Sequence, residues 1–165
     1  AVDSLSRFAE LHPWSEDAND ALETAMLVKE ALIEDRAPLD CFREAGAALV
    51  RGKREAAADS LDAFRERYPM SLLLPRVCFM RAEIHLEDGE PEAAAGLWME
   101  LAEAFPLHDL APRALERVAE TSGPDEALEL YEKIIERYPD DPFIGRIRAR
   151  YIAVRKSIEE DDGAD

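Results

Sequence analysis

Apolar positions in this chain recur with a helical period and stop, four times, at a proline. Twelve residues before Pro13, Pro69, Pro106 and Pro139 stand Ala1, Ala57, Ala94 and Ala127. Eight before stand Leu5, Leu61, Trp98 and Tyr131, and five before stand Phe8, Phe64, Leu101 and Ile134. The residue just before is His12, Tyr68, Phe105 or Tyr138. Small, large, large and aromatic positions at steps of three to four residues mark one face of an α-helix, and proline cannot continue that helix. One helix type is written four times, so the pattern predicts a helical repeat array.

A second helix precedes each of the later copies. Cys41, Ala45 and Gly52 repeat as Cys78, Ala82 and Gly89 without a gap, and the glycine suits the left-handed position after a helix end. The next helix opens with Pro91 in one copy and Pro124 in another, where a missing N–H costs little. The stretch from Pro75 to Glu83 aligns with that from Pro112 to Glu120. Ala82 precedes Pro91 by nine residues but Ala119 precedes Pro124 by five, so the first helix of the third repeat is expected to be one turn short.

At the N-terminal end, residues 1–11 read as a second helix without its partner, and Ser15 as the N-cap of a long helix reaching about Glu34. Ala1 occupies the first slot of its helix, which predicts a chain that begins inside a repeat, as a fragment of a larger protein. At the other end Asp140-Asp141-Pro142 starts a helix with the stripe Phe143, Ile147, Tyr151, Val154 and Ile158. Its other side carries Arg146, Arg148, Arg150, Arg155 and Lys156, expected to offset the acidic second helices or to dock an acidic partner. Glu159 to Asp165 reads as a disordered acidic tail. The divisions are a truncated repeat at 1–12, a long helix within 13–37, repeats at 38–70, 71–107 and 108–140, a capping helix at 141–159, and a tail at 160–165.

Spacings of 33 and 37 residues between prolines, with Asp88-Gly89-Glu90-Pro91-Glu92-Ala93-Ala94 running on to Phe105-Pro106, resemble the tetratricopeptide repeat family. Asp125-Glu126-Ala127 through Tyr138-Pro139 resembles it almost as well. The resemblance implies an all-α helical-repeat solenoid of antiparallel helix pairs in a right-handed superhelix, about nine helices with no strand, closed by the C-terminal helix. Tyr138-Pro139-Asp140-Asp141-Pro142 resembles the bacterial subclass of cell-envelope scaffolds, which implies a non-enzymatic adaptor in the periplasm or cell envelope. The first helices depart from the family by carrying cysteine and alanine where tryptophan and glycine are usual, and the Lys and Asn set of a carboxylate clamp is absent.

Composition narrows the partners. A net charge of −17 argues against nucleic acid, which would be repelled, and against anionic lipid. No apolar run approaches the roughly 20 residues of a bilayer span, so direct membrane insertion is not expected. Sixteen arginines against four lysines fit a GC-rich genome or a salt-adapted organism. His12, His85 and His108 are far apart and form no metal pair, and neither a phosphate loop nor a nucleophile elbow is present. No cofactor, metal or catalytic residue is therefore expected. Cys41 and Cys78 read as free, mostly buried core fillers.

What remains is a surface for a protein or peptide partner. By position in the family, the first helices of the second and third repeats present Arg76, Phe79, Met80 and Glu83, then Arg113, Glu116, Arg117 and Glu120. Mixed charges with an aromatic ring and a methionine suit a peptide. The competing readings are an architectural spacer or end cap, and a regulatory arm of an enzyme encoded elsewhere in the larger protein. Leu5 and Phe8, left without a preceding helix, predict a homodimer contact at the truncated N-terminal end.

Overall fold

The computed structural model describes residues 35–162 continuously, with residues 7, 25–27, 29–30 and 33 before them. The expectations for helices at 1–11 and 15–34, for Ser15 as a cap, for Leu5 and Phe8 as a contact, and for the tail beyond Asp162 lie outside the described residues. Seven helices follow one another from residue 36: α1 Arg36–Val50, α2 Arg54–Arg67, α3 Leu74–Glu87, α4 Pro91–Ala104, α5 Leu110–Thr121, α6 Pro124–Arg137 and α7 Ile144–Asp162. Among the described residues there is no strand. The described residues are all-α, and α1 packs on α2, and α4 through α7 on one another in sequence, as in a helical repeat.

Two compact units divide at residue 74. In the first, α1 and α2 pack on each other and bury Ala45, Ala57, Leu61 and Phe64. Phe64 meets Tyr68 edge to face at 5.2 Å. In the second, Phe79 of α3 lies 6.2 Å from Trp98 of α4, and α4 through α7 pack in sequence. Trp98, Leu101, Leu115 and Ile134 are its largest fully buried side chains. These are the positions that recur before each proline, together with the core of α5.

Local chemistry sets the helix ends. Gly52 and Gly89 have φ of 71° and 82°, the left-handed region that glycine enters without a Cβ penalty. At each, two N–H groups turn back onto the last helical turn. Gly52 N–H donates to the Leu49 carbonyl and Lys53 N–H to that of Ala48; Gly89 and Glu90 repeat this onto Leu86 and His85. Both are Schellman closures. The three pre-proline residues share one conformation, with φ and ψ of −129° and 55° at Tyr68, −128° and 57° at Phe105, and −128° and 53° at Tyr138. A following proline disfavours the α region, so each helix stops there after one last bond from the aromatic residue's N–H.

A third recurrent device was hidden from periodicity. Two residues past each proline stand Ser71, His108 and Asp141, and each side chain accepts the backbone N–H two residues on, at 3.1, 3.1 and 2.8 Å. Serine, histidine and aspartate share an acceptor but no hydropathy, so the apolar register does not reveal them; the reading of Ser15 after Pro13 was the available clue.

Helix α5 is short, as expected. Relative to the aligned prolines Pro75 and Pro112 it ends three residues earlier than α3, and the linker behind it is one residue shorter. The final helix departs from expectation at both ends. It begins at Ile144, with Asp141 capping the turn before it, and it runs through Glu159 to Asp162 where a disordered tail was expected. Pairs at i,i+4, Arg155 with Glu159 and Lys156 with Glu160, support that extension. Of its expected stripe only Ile147 is buried; Phe143, Tyr151, Val154 and Ile158 are half-buried. Cys41 is also half-buried rather than buried, while Cys78 is buried, and neither forms a disulfide. Burial, then the Glu44 carboxylate, pushes the Cys41 thiol up despite Arg67, so its thiolate fraction is low.

Candidate interaction face

All eight candidate binding residues lie on α3 and α5, in the second unit, and the structure ties several of them to one another and to α7. Arg117 of α5 makes a bidentate pair with Glu83 of α3, Nε to Oε1 at 2.8 Å and Nη2 to Oε2 at 2.5 Å. Its third donor reaches Glu120 at 2.9 Å. Hydrogen bonding to Glu83 raises the Arg117 pKa further, against burial. Glu116 is buried at 4% exposure, a position that costs several kcal/mol for an unpaired carboxylate. Arg146 of α7 satisfies it through two bonds, at 3.1 and 2.7 Å, and Arg150 approaches at 3.5 Å. Arg150 also bonds Glu120.

These pairs repeat with the chain. Arg117 and Arg150 stand eleven residues after Pro106 and Pro139, and Glu83 and Glu120 stand fourteen after Pro69 and Pro106. Each arginine therefore holds the glutamate of the preceding repeat. The sequence separations, 34 and 30, differ by the one turn missing from α5. Arg76, Arg113 and Arg146 likewise share the position seven after proline. The alignment of α3 with α5 was the signal from which this ladder could have been read; extending it to α7 was the missing step.

Three expected surface residues are not presented. Arg76 and Phe79 are buried, as is Glu116. Arg76 lies 3.7 Å from Asp109. Phe79 is covered by the Arg113 guanidinium, 5.1 Å from its ring centroid, and Trp98 by that of Arg117 at 5.4 Å. Met80, Glu83, Arg113 and Arg117 are half-buried and Glu120 is at the surface. The candidate face is thus a half-exposed row over an aromatic floor, with its charges cross-linked.

The basic side of α7 also resolves differently from the expectation that it offsets the acidic second helices. Arg146 and Arg150 turn back onto α5, a first helix. Arg155 and Lys156 pair within α7, and Arg148 is exposed. His85 is a structural histidine whose Nδ1 lies 2.6 Å from Glu90.

The tetratricopeptide repeat model matches residues 124–141, from the head of α6 through the Tyr138-Pro139-Asp140-Asp141 turn. Residues 124–141 thus carry a tetratricopeptide repeat. No curated protein matches the chain. The matched segment contains the pre-proline conformation at Tyr138 and the cap made by Asp141, and the earlier turns repeat that conformation and that cap with Ser71 and His108. A tetratricopeptide repeat is a protein-interaction module, which makes a protein the expected class of partner. Among the described residues no helix is long and apolar enough to cross a membrane.

Proposed function

We propose that this chain is a non-catalytic scaffold module that holds a protein or peptide partner along the half-exposed row of α3 and α5. The observation that supports it most directly is the Glu83–Arg117–Glu120–Arg150–Glu116–Arg146 ladder, which fixes three helices before any partner arrives. A surface ordered in advance loses less conformational entropy on binding. Met80 and Arg113 supply adaptable apolar and cationic contacts on that surface. The periplasmic or cell-envelope setting belongs to the same proposal through the Tyr-Pro-Asp-Asp-Pro resemblance.

A photo-crosslinking residue at Met80 or Arg113 tests the reading in the native host. Capture of one discrete partner from those positions, and not from the exposed Asp125 of α6, is the expected result. The architectural alternative has one specific observation in its favour, because the ladder already satisfies the face's charges internally. It predicts no position-dependent capture.

A further inference from the structure

A recess lies at the edge where two repeat turns meet, next to the start of α5. The segments 106–109 and 137–141 stand side by side, with Pro112, around a cavity of about 460 Å³. That volume lies within the span of about 300–1,000 Å³ typical of ligand pockets. Prolines 106, 112 and 139 give it apolar walls, and Leu107 at its rim is fully exposed. The Tyr138 hydroxyl is buried and has no hydrogen-bond partner, an unmet demand that natural structures rarely leave.

Three carboxylates line the same cavity, and they are not equally served. Asp109 has His108 at 2.7 Å and Arg76 at 3.7 Å. Asp141 uses one oxygen to accept the Phe143 N–H, and burial, Glu116 and Asp109 together push its carboxyl up despite Arg146. Asp140 is exposed beside it. Arg137, which also lines the recess, is exposed and lies over the Tyr138 ring at 6.0 Å. The recess therefore combines surplus negative charge with an apolar rim.

We propose that this cavity binds one basic side chain, lysine or arginine, of a polypeptide partner, with the cationic head between Asp140 and Asp141 and a neighbouring apolar residue against Leu107. Charged N–H donors answer both carboxylates. The partner is a peptide rather than a small polyamine because the exposed leucine and the prolines offer contact to a side chain next to the cation. This inference rests on the reading of the chain as a protein-binding module and adds the chemistry of what it recognises.

The test is an NMR titration of the full chain with acetyl-Gly-Leu-Arg-Gly-amide and with the same peptide carrying citrulline, which keeps the shape and removes the charge. The arginyl peptide should shift the amides of 107–111 and 137–143, and the citrullyl peptide should bind at least about tenfold more weakly, the loss of one charge-assisted contact. Asp140→Asn should weaken the arginyl peptide similarly; it is an exposed site, so the fold survives. Leu107→Ser should weaken the peptide but leave acetyl-arginine amide unchanged. Equal binding of the two peptides, or no shifts at the two turns, overturns the proposal. Shifts confined to α3 and α5 would overturn it too, while leaving the scaffold reading intact. If spermidine competes as strongly as the peptide and Leu107→Ser has no effect, the polypeptide assignment is wrong.

Discussion

Helices α5 and α7 enter the fold by the same device and end in opposite surroundings. Both follow an aromatic-proline stop, and both have a side chain two residues past the proline that accepts the N–H of a residue near the helix start. Both carry arginines seven and eleven residues past that proline. Yet α5 buries eight of its twelve residues, whereas Ile147 is the one buried side chain described in α7. The turn fixes how a helix enters; its neighbours decide how much it buries. Ladder chemistry follows the same division. Arg150 of α7 finds Glu120 of α5, but the next glutamate position, fourteen past Pro139, is Ala153, so the ladder ends at α7.

The widest gap between the two helices should appear in their cores. Leu115→Ala in α5 removes a side chain that is 1% exposed, and it should cost about 2–5 kcal/mol in urea unfolding. Ile147→Ala in α7 should lie at or below about 2 kcal/mol, because the half-buried side chains of that helix collapse more readily around a gap. Equal losses would show that α7 is held as firmly as an interior helix and would break the comparison.

Next in size is the buried charge that joins the two. Glu116→Ala strands Arg146 and takes one of two partners from Arg150, and breaking a fully buried pair costs about 3–5 kcal/mol. Both arginine side chains are 38% exposed, so water takes up part of the loss and the expected cost is about 1–3 kcal/mol. Glu120→Ala, removing a more exposed partner of Arg150, should cost no more than about 1 kcal/mol. A reversed order would mean that burial of Glu116 is not what gives its pair weight. In a double-mutant cycle Glu116→Ala and Arg146→Ala should couple, and Glu116→Ala with Arg148→Ala should not.

How much of this was legible depends on which signal carried it. The stops at Tyr68, Phe105 and Tyr138, the glycine closures at 52 and 89 and the short α5 could be read because proline, glycine and spacing act locally. The caps at Ser71, His108 and Asp141 were illegible as a set, since one geometric role is filled by three chemistries. The candidate face was only half legible. Alignment placed Arg76, Phe79 and Glu116 correctly on α3 and α5, but burial depends on what packs over a helix, and hydropathy argued for exposure of Arg76 and Glu116. For α7 the same charges misled: Arg146 and Arg150 read as an outer face because their partners are about one repeat away in sequence.

The smallest expected effect separates the entries of the two helices by the sign of their pH dependence. Before α5, burial works to raise the Asp109 carboxyl, but His108, Arg76 and the Leu110 N–H together hold it below its ordinary value. The folded state then binds a proton less readily than the unfolded chain. Asp109 contributes stability above the ordinary aspartate pKa of about 3.9 and loses it as pH falls through the lower folded value. Before α7, burial dominates and Asp141 titrates above its ordinary value. Here the folded state holds its proton more tightly, so stability falls as pH rises from about 3.9 through the raised value, and the cost persists at neutral pH. Asn at either site removes the ionisation, and at 141 it keeps the oxygen that accepts the Phe143 N–H. Asp109→Asn should therefore lower the melting temperature at pH 7 and lose less on acidification than the parent. Asp141→Asn should raise it slightly at pH 7, with the advantage gone below about pH 3.5, where the parent carboxyl is protonated in both states. Each change should stay within about 1 kcal/mol, as single partly exposed charges do. Difference curves of the same sign would remove the electrostatic distinction between the two turns and leave burial alone to separate α5 from α7.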